Sequence, residues 1–213
     1  MERVVVKLGG SLMADASAVV RSLSANFGKD KVRDGFSILI VPGGGPFADG
    51  VRAASDKYGI SEDAAHWMAI LAMEQYAYYI LDRNDLPHTD SIEGLPKGVT
   101  MLLPYRMLRE VDKLPHSWDV TSDTIAAWIA WKLGARFIKV TDVDGVYAED
   151  VVQTWMTADE VLSMGSTCMD NTLPRFLKKY RMDCIIVNGK HPERVVDAVL
   201  GNDVVGTHIK GNI

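Results

Sequence analysis

A lysine and a glycine pair close the first apolar segment of the chain. Val4–Leu8 holds three β-branched residues in a row, which is typical of a buried strand, and Lys7 stands near its end. A lysine is rarely buried without an anion, although Lys7 alone could also extend from the strand end into water. The turn Gly9-Gly10-Ser11 permits a close backbone approach to a ligand, and Ser11 is predicted to cap a helix over 12–27. Because free N–H groups at a helix N-terminus attract anions, this turn is predicted to hold phosphate.

A second glycine turn follows the apolar segment Ser37–Val41. Pro42 and Pro46 flank three glycines, Gly43-Gly44-Gly45. Successive backbone N–H groups in such a turn can form a concave anion site, and the alternative is a flexible turn without a ligand. We expect this turn to bring a second phosphate to the first.

Strand-like and helix-like segments alternate along the chain, which predicts a mainly parallel sheet covered on both faces. Strands are predicted over 3–8, 37–41, 137–140 and 184–187, and helices over 47–58, 61–82, 123–133, 173–180 and 192–200. The stretch 86–115 is rich in proline and predicts short strands and loops. Ligands of such folds bind beyond the carboxyl ends of the strands, which is where both glycine turns lie.

Composition excludes several classes of protein. The 213 residues carry a net charge of −5 with a pI near 5.5, so a nucleic-acid partner is not expected. Two cysteines predict neither a disulfide framework nor a zinc site. No apolar run is long enough to cross a membrane, and the chain begins directly in a predicted strand, so no signal peptide is expected. These features predict a cytoplasmic protein without a membrane partner.

Five polar positions have an ordinary structural explanation beside a functional one. His66 is a lone histidine on an apolar helix, and most such residues are partly buried and hydrogen-bonded. Asp123 falls in a helix first turn, where the dipole favours a carboxylate. Asp142 and Asp144 suit a turn, and Asp170 is close enough to the helix at 173 to cap it.

Several motifs, in this order, resemble the amino acid kinase family. They are Lys7-Leu8-Gly9-Gly10-Ser11, Val41-Pro42-Gly43-Gly44-Gly45, Ser122-Asp123-Thr124-Ile125-Ala126, Thr141-Asp142-Val143-Asp144-Gly145-Val146-Tyr147 and a terminal Gly206-Thr207-x-Ile209. The resemblance covers nearly the whole chain. It implies one α/β domain over 1–213, a three-layer αβα sandwich with an open, mainly parallel sheet. It also implies an acceptor-binding half at about 1–120 and an ATP-binding half at about 121–213.

The same resemblance implies phosphoryl transfer from ATP to a carboxylate, phosphate or carbamate. Lys7 would contact the transferring group and Asp123 would orient that lysine. Gly43, Gly44 and Gly45 would hold the acceptor, and His66 could contact its phosphate. ATP would be bound by Gly9, Gly10, Ser11, Thr141, Asp142, Asp144 and Tyr147. Mg²⁺ would be held mostly by ATP phosphates and water, so no dedicated protein metal site is predicted.

One stretch departs from the family pattern. Many members carry Gly-Gly-Met-x-x-Lys, whose lysine also neutralises the transferring phosphate. Here 167–172 reads Thr-Cys-Met-Asp-Asn-Thr, which places Thr172 at the lysine position. Lys178 or Lys179 could replace it only from an inward face, and we expect an exposed one. Asp170, in the same stretch, is predicted to pair with a cationic acceptor such as one bearing an aminomethyl group.

The acceptor and the assembly are predicted from further segments. Asp63–Ala69 and Leu173–Leu177 resemble the family members that convert 5-(aminomethyl)-3-furanmethanol phosphate to its diphosphate in methanofuran biosynthesis. Uridylate and isopentenyl phosphate kinases remain alternatives, as does a non-catalytic nucleotide-binding or oxyanion-storage protein. A compact acceptor site with a carboxylate would favour the furan, and a deep apolar channel would favour isopentenyl phosphate. A helix over 61–82 that is apolar on more than one face predicts a homodimer or larger homo-oligomer.

Overall fold

A central sheet organises the chain in a computed structural model that describes residues 1–28, 35–165 and 167–211. Its strands, with one separate hairpin, are β1 Glu2–Leu8, β2 Phe36–Pro42, β3 His88–Thr89, β4 Gly98–Leu102, β5 Arg136–Thr141, β6 Tyr147–Ala148, β7 Val151–Val152, β8 Trp155–Thr157, β9 Cys184–Asn188 and β10 Gly206–Lys210. The helices are α1 Ala16–Phe27, α2 Gly45–Tyr58, α3 Glu62–Leu81, α4 Pro104–Val111, α5 Ser122–Leu133, α6 Ala158–Met164, α7 Leu173–Tyr180 and α8 Pro192–Leu200.

Eight strands form one mixed, mainly parallel sheet in the order β3-β4-β2-β1-β5-β9-β10-β8. β10 runs antiparallel to β9, and β8 runs parallel to β10. The remaining neighbours are parallel, so β1, β2, β5 and β9 end at the same edge of the sheet. β6 and β7 form the separate antiparallel hairpin.

The alternating side chains of β1 show why helices cover both faces. Val5 packs into a core with α4, α5, α6 and α7, whereas Val4 and Val6 pack into a second core with α1 and α8. All three valines are at most 1% exposed. Because both faces of the strand are buried, it reads as a continuous apolar run, and the three-layer αβα arrangement predicted above is confirmed.

Three local predictions are corrected by the structure. Ser11 does not cap a helix: Gly10–Leu12 forms a single 3₁₀ turn, and α1 begins only at Ala16. α2 begins at Gly45, within the second glycine turn, rather than at 47. The stretch 86–115, predicted to hold short strands and loops, also contains the helix α4. The sequence does not predict β6, β7 and β8, which have only two or three residues each, or the seven-residue helix α6.

The prediction of a Ser61 cap is confirmed, since its side chain accepts a hydrogen bond from the Ala64 N–H. Among the described residues, no helix combines the length and the apolar composition needed to cross a lipid bilayer.

Candidate active site

Two buried ammonium groups share one carboxylate at the centre of the molecule. Lys7 on β1 and Lys139 on β5 are partners in the parallel register, so their side chains leave the same face of adjacent strands, roughly 5 Å apart. Each Nζ lies 2.7 Å from Oδ1 of Asp123, in the first turn of α5. Lys7, Lys139 and Asp123 are 5%, 2% and 4% exposed. We call these three residues the lysine–aspartate cluster.

Burial and mutual charge set the ionisation of the cluster. Burial alone would raise the pKa of Asp123, but the ammonium groups of Lys139 and Lys7 hold that pKa well below its ordinary value. Burial lowers the pKa of Lys7, assisted by the like charge of Lys139 and opposed by Asp123. Burial also acts against charged Lys139, but Asp123 outweighs it and raises the pKa of Lys139. Taken by itself, the cluster has one carboxylate for two ammonium groups, and the neighbouring Asp170 carboxylate also attracts the Lys7 ammonium.

The two glycine turns lie directly against each other beside this cluster. A side-chain carbon added at Gly10 would lie 2.3 Å from the backbone nitrogen of Gly45, and one added at Gly43 would lie 2.7 Å from the nitrogen of Gly10. The Gly9 N–H donates to Val140 O and the Gly43 N–H to Leu8 O, each at 2.8 Å. Gly45 has a φ of +53°, which favours glycine. The two turns therefore form one continuous backbone surface, which we call the glycine cradle, and its contact with phosphates stays a prediction.

The predicted ATP-binding residues surround the first turn at the ends of β5 and β9. The Ser11 hydroxyl donates to Asp142 Oδ1 at 2.8 Å, and Thr141, at the end of β5, donates to the same oxygen at 3.3 Å. Hydrogen bonds from Ser11 and Thr141 lower the pKa of Asp142 although burial opposes them. Gly9, Gly10, Ser11, Thr141 and Asp142 are thus brought together.

Asp144 and Tyr147 lie further along the same loop and differ in their contacts. Asp144 accepts from Asn188 at 2.9 Å and from Arg194 at 2.7 Å, so its carboxylate ties this loop to β9 and α8. Those hydrogen bonds lower the pKa of Asp144. Tyr147 on β6 is 44% exposed, which leaves its ring accessible to a ligand. The Val146 N–H donates to the hydroxyl of Thr207 at 2.8 Å, which anchors the loop to β10.

A cleft leads away from the second glycine turn between α2 and α3. We call it the acceptor cleft. Its lining residues are Gly44, Ala48, Arg52, Glu62, Ala65, His66, Ala69, Ile70, Met73, Ser117, Trp118, Val120, Thr121, Ser122 and Ile125. Thr121 and Ser122 directly precede Asp123, so this part of the cleft lies next to the start of α5.

His66 lines this cleft, and its ring is positioned by Asp112 and His116, which do not line the cleft. Its Nε2 and Oδ2 of Asp112 are hydrogen-bonded at 2.7 Å, and its ring stacks on His116 with centroids 3.8 Å apart. Burial would raise the pKa of Asp112, but hydrogen bonds from His66 and the Leu114 N–H lower it. The ligand atoms of His66, Asp112 and His116 lie within 4.8 Å of one another. With 13° between the ring planes, the two imidazole lone pairs do not converge on one point, so the geometry does not favour a metal ion.

The Asp170 carboxylate is occupied by groups of the protein itself. It accepts hydrogen bonds from the backbone N–H groups of Thr121, Thr124, Thr172 and Leu173, the last at 2.7 Å. It also accepts from the hydroxyls of Thr121 and Thr124, while its own N–H donates to Asp123 Oδ2 at 3.2 Å. These contacts fasten the starts of α5 and α7 together and orient Asp123. They favour a positioning role over the predicted pairing with a cationic acceptor.

Lys139 is the functional candidate that the sequence reasoning missed. The signal was present, because a lysine inside the apolar segment Phe137–Val140 needs an anion for the same reason as Lys7. The family spacing points instead to Thr172 and its neighbours for a second cation. Lys178 is exposed and pairs with Asp159 at 2.7 Å, as expected for an outward face.

Comparison with known proteins agrees with this geometry. The model of the amino acid kinase family matches residues 2–90 and 95–188. The chain belongs to the amino acid kinase family. A curated relative, the [5-(aminomethyl)furan-3-yl]methyl phosphate kinase of Methanocaldococcus jannaschii, is 33% identical over 216 residues, with 97% of each chain covered. The uridylate kinase of Methylococcus capsulatus is 26% identical, with 99% of this chain and 98% of that protein covered. The chain is accordingly a phosphotransferase of this kinase family.

Solved structures of the family share the fold. The uridylate kinase of Archaeoglobus fulgidus superposes with a TM-score of 0.68 at 20% identity, covering 98% of this chain and 100% of that one. The UMP kinase of Bacillus anthracis gives 0.70 at 16% identity, covering 100% and 97%. At this level of identity the likeness shows the amino acid kinase fold alone.

Proposed function

We propose that the protein transfers the γ-phosphoryl group of ATP to the phosphate of [5-(aminomethyl)furan-3-yl]methyl phosphate, forming the corresponding diphosphate. The observation that carries the proposal is the lysine–aspartate cluster, which lies next to the two abutting glycine turns and to the part of the cleft lined by Thr121 and Ser122. The 33% identical relative that covers 97% of the chain supports this acceptor.

The residues of the cluster supply charge and position. Transfer between phosphates is limited by the repulsion of oxygen anions and by alignment, so two fixed ammonium groups are well suited to it. Asp123 holds Lys7 and Lys139 at one point despite their mutual repulsion. An acceptor phosphate is already ionised at neutral pH and needs no general base. This agrees with a site whose aspartate has a strongly lowered pKa.

The first glycine turn and the end of β5 suit a nucleotide triphosphate with Mg²⁺. Backbone N–H groups and the two ammonium groups of the cluster favour the phosphates, and the exposed Tyr147 ring could stack on a base. Among the described residues, only hydroxyl and backbone groups form hydrogen bonds with the Asp142 carboxylate. Asp142 is therefore better suited than Asp144 to bind a Mg²⁺ ion or one of its water ligands. When bound, the metal would neutralise phosphate charge. Asp144 is committed to Asn188 and Arg194 and keeps the loop in place.

The shape of the acceptor cleft supports the furan over isopentenyl phosphate. An apolar middle of alanines and Ile70 is bounded by the charged residues Arg52 and Glu62, so the cleft is not a uniformly apolar channel. Uridylate remains the second candidate, because uridylate kinases are among the relatives. A pure storage protein gains less support, because Lys139 supplies the second ammonium that the motif at Thr172 lacks.

The proposal includes a homo-oligomer in the cytoplasm. Met68, Leu71 and Tyr78 are 37%, 40% and 57% exposed at helical spacing on α3, which leaves an apolar stripe for a second copy. Cys168 and Cys184 are free thiols, which is typical of a reducing compartment.

An ADP-release assay over a panel of acceptors tests the proposed reaction. With ATP and Mg²⁺, [5-(aminomethyl)furan-3-yl]methyl phosphate should give the highest kcat/KM, above uridylate, isopentenyl phosphate and amino-acid carboxylates. Preferred turnover of uridylate would replace the proposed acceptor. ATP binding without turnover of any acceptor would favour the storage alternative.

A further inference from the structure

An uncompensated carboxylate lines the acceptor cleft. Glu62 is exposed in the first turn of α3 and faces the cleft. Within 1–28, 35–165 and 167–211 it has no hydrogen-bond or ion-pair partner. Its neighbour Asp63, in the same helical turn, pairs with His116 at 2.7 Å and does not line the cleft. Of these two carboxylates, Glu62 is therefore the one that remains available to a ligand in the cleft.

The helices place Glu62 at the end of the cleft that is farther from the glycine cradle. Gly44, Ala48 and Arg52 line the cleft at a spacing of four residues, which is one stripe of α2, so Arg52 lies about 12 Å along the helix from Gly44. α3 follows after only residues 59–61 and packs back along α2. Its first residue, Glu62, is thus beside the far end of α2, and Met73 is nearer the sheet.

The second charged group at this end already has partners. The Arg52 guanidinium lies 4.7 Å from the centre of the Trp118 ring and 3.5 Å from Asp49. The lining between the cradle and this end is mainly apolar, with Ala65, Ala69 and Ile70 beside the polar His66. A ligand that fills the cleft is therefore expected to carry phosphate at one end, a short apolar or aromatic middle and a positive charge at the other end.

We propose that Glu62 binds the primary ammonium group of the acceptor and selects for it. The placement of the acceptor phosphate on the glycine cradle rests on the proposed function. Glu62 touches no reacting atom, so it determines specificity and takes no part in the chemistry. A charge-assisted hydrogen bond of this kind distinguishes an amine from a neutral group of similar size by about tenfold or more.

The test compares two acceptors and three proteins. The acceptors are [5-(aminomethyl)furan-3-yl]methyl phosphate and its counterpart with hydroxymethyl in place of aminomethyl. The proteins are the parent, Glu62→Gln and the matched control Asp63→Asn, which removes a charge from the same helical turn. Steady-state kcat and KM are measured for each pair, and binding of each acceptor is measured by calorimetry without ATP.

Glu62→Gln should raise KM and Kd for the amine about tenfold, with little change in kcat and no change for the hydroxymethyl compound. Asp63→Asn should leave the preference for the amine intact. Equal effects of Glu62→Gln on both acceptors, or none, would overturn the role of Glu62. If the parent turns over neither compound but binds the amine through Glu62, the proposed reaction fails and the ammonium site stands. If it binds neither, both fail.

Discussion

At the level of single residues, the position of Lys139 explains how the site can hold a second positive charge beside Lys7. Family spacing points to position 172 for a second cation, and that position holds a threonine. The register of β1 with β5 instead sets Lys139 beside Lys7, and Asp123 bridges the two at 2.7 Å. The second positive charge, which is missing at Thr172 before α7, is supplied by Lys139 on β5.

Replacement of either buried lysine should abolish most of the activity. Lys139→Met keeps the length of the side chain but removes its charge, and we expect kcat to fall by about 10²-fold or more, as for other groups that stabilise transition-state charge. Lys7→Met should do the same. Lys178→Met is the matched control, because Lys178 is exposed and pairs only with Asp159 among the described residues. Normal kcat in Lys139→Met would exclude it from the reaction.

The lowered pKa of Lys7 predicts an alkaline limit to activity. The phosphoryl group needs the charged ammonium, and burial makes Lys7 lose its proton at a lower pH than the ordinary 10.5. As pH rises through that lowered pKa, kcat should fall. Lys7→Arg should be less active but should keep its activity to higher pH, because guanidinium does not titrate there. A pH profile of kcat whose alkaline limb is identical in the parent and in Lys7→Arg would contradict this origin.

At the level of elements, the cradle depends on two turns that touch backbone to backbone. Gly10 belongs to the turn after β1, and Gly45 begins α2. The space for any side-chain carbon at Gly10 is already filled by the Gly45 backbone at 2.3 Å. The turns can only approach because both positions are glycine.

Gly10→Ala should therefore push the two turns apart. We expect a large loss of kcat/KM, by about 10²-fold, as a displacement of an ångström at the phosphates misaligns the reaction. Gly50→Ala is the control, because Gly50 lies in the same helix α2 with open space around it, and alanine favours a helix. Its activity should stay at the parental level and its melting temperature should not fall. If Gly10→Ala keeps full kcat/KM, the contact between the turns is not required.

The sequence predicted the elements that carry a strong local pattern. The four apolar strands at the centre, the Ser61 cap and the two glycine turns all follow from residue type and spacing. Its residue type suits Ser11 to a helix cap, but its hydroxyl instead donates to Asp142, 131 positions further along the chain. Arg52, Glu62 and Trp118 form the acceptor cleft only after α2, α3 and the segment before α5 have packed together. Long-range packing of this kind leaves no periodicity in the sequence.

At the level of the whole molecule, α3 serves the site with one face and leaves another uncovered. Its inner positions line the acceptor cleft, and the hydroxyl of Tyr76 donates to Gly9 O at 3.2 Å. Met68, Leu71 and Tyr78 stand out from the opposite surface. The helix is apolar almost all round, which suits a position between the cleft and a second copy of the chain.

Charges placed on this stripe should dissociate the assembly. We expect the parent to be a dimer or larger by size-exclusion chromatography with light scattering, and Leu71→Lys with Tyr78→Lys to lower its mass toward 23.4 kDa. Val205→Lys is the control, since Val205 is 53% exposed outside α3. A parent that is monomeric at micromolar concentration would contradict the assignment of the stripe to an interface.

The central claim is that the cradle and the lysine–aspartate cluster join two phosphates. The most direct measurement is the ³¹P NMR spectrum of a reaction of the protein with ATP, Mg²⁺ and [5-(aminomethyl)furan-3-yl]methyl phosphate. The account predicts that the single resonance of the acceptor gives way to two coupled resonances of a diphosphate ester as ADP accumulates. Accumulation of inorganic phosphate with the acceptor unchanged, or a spectrum that does not change, would contradict it.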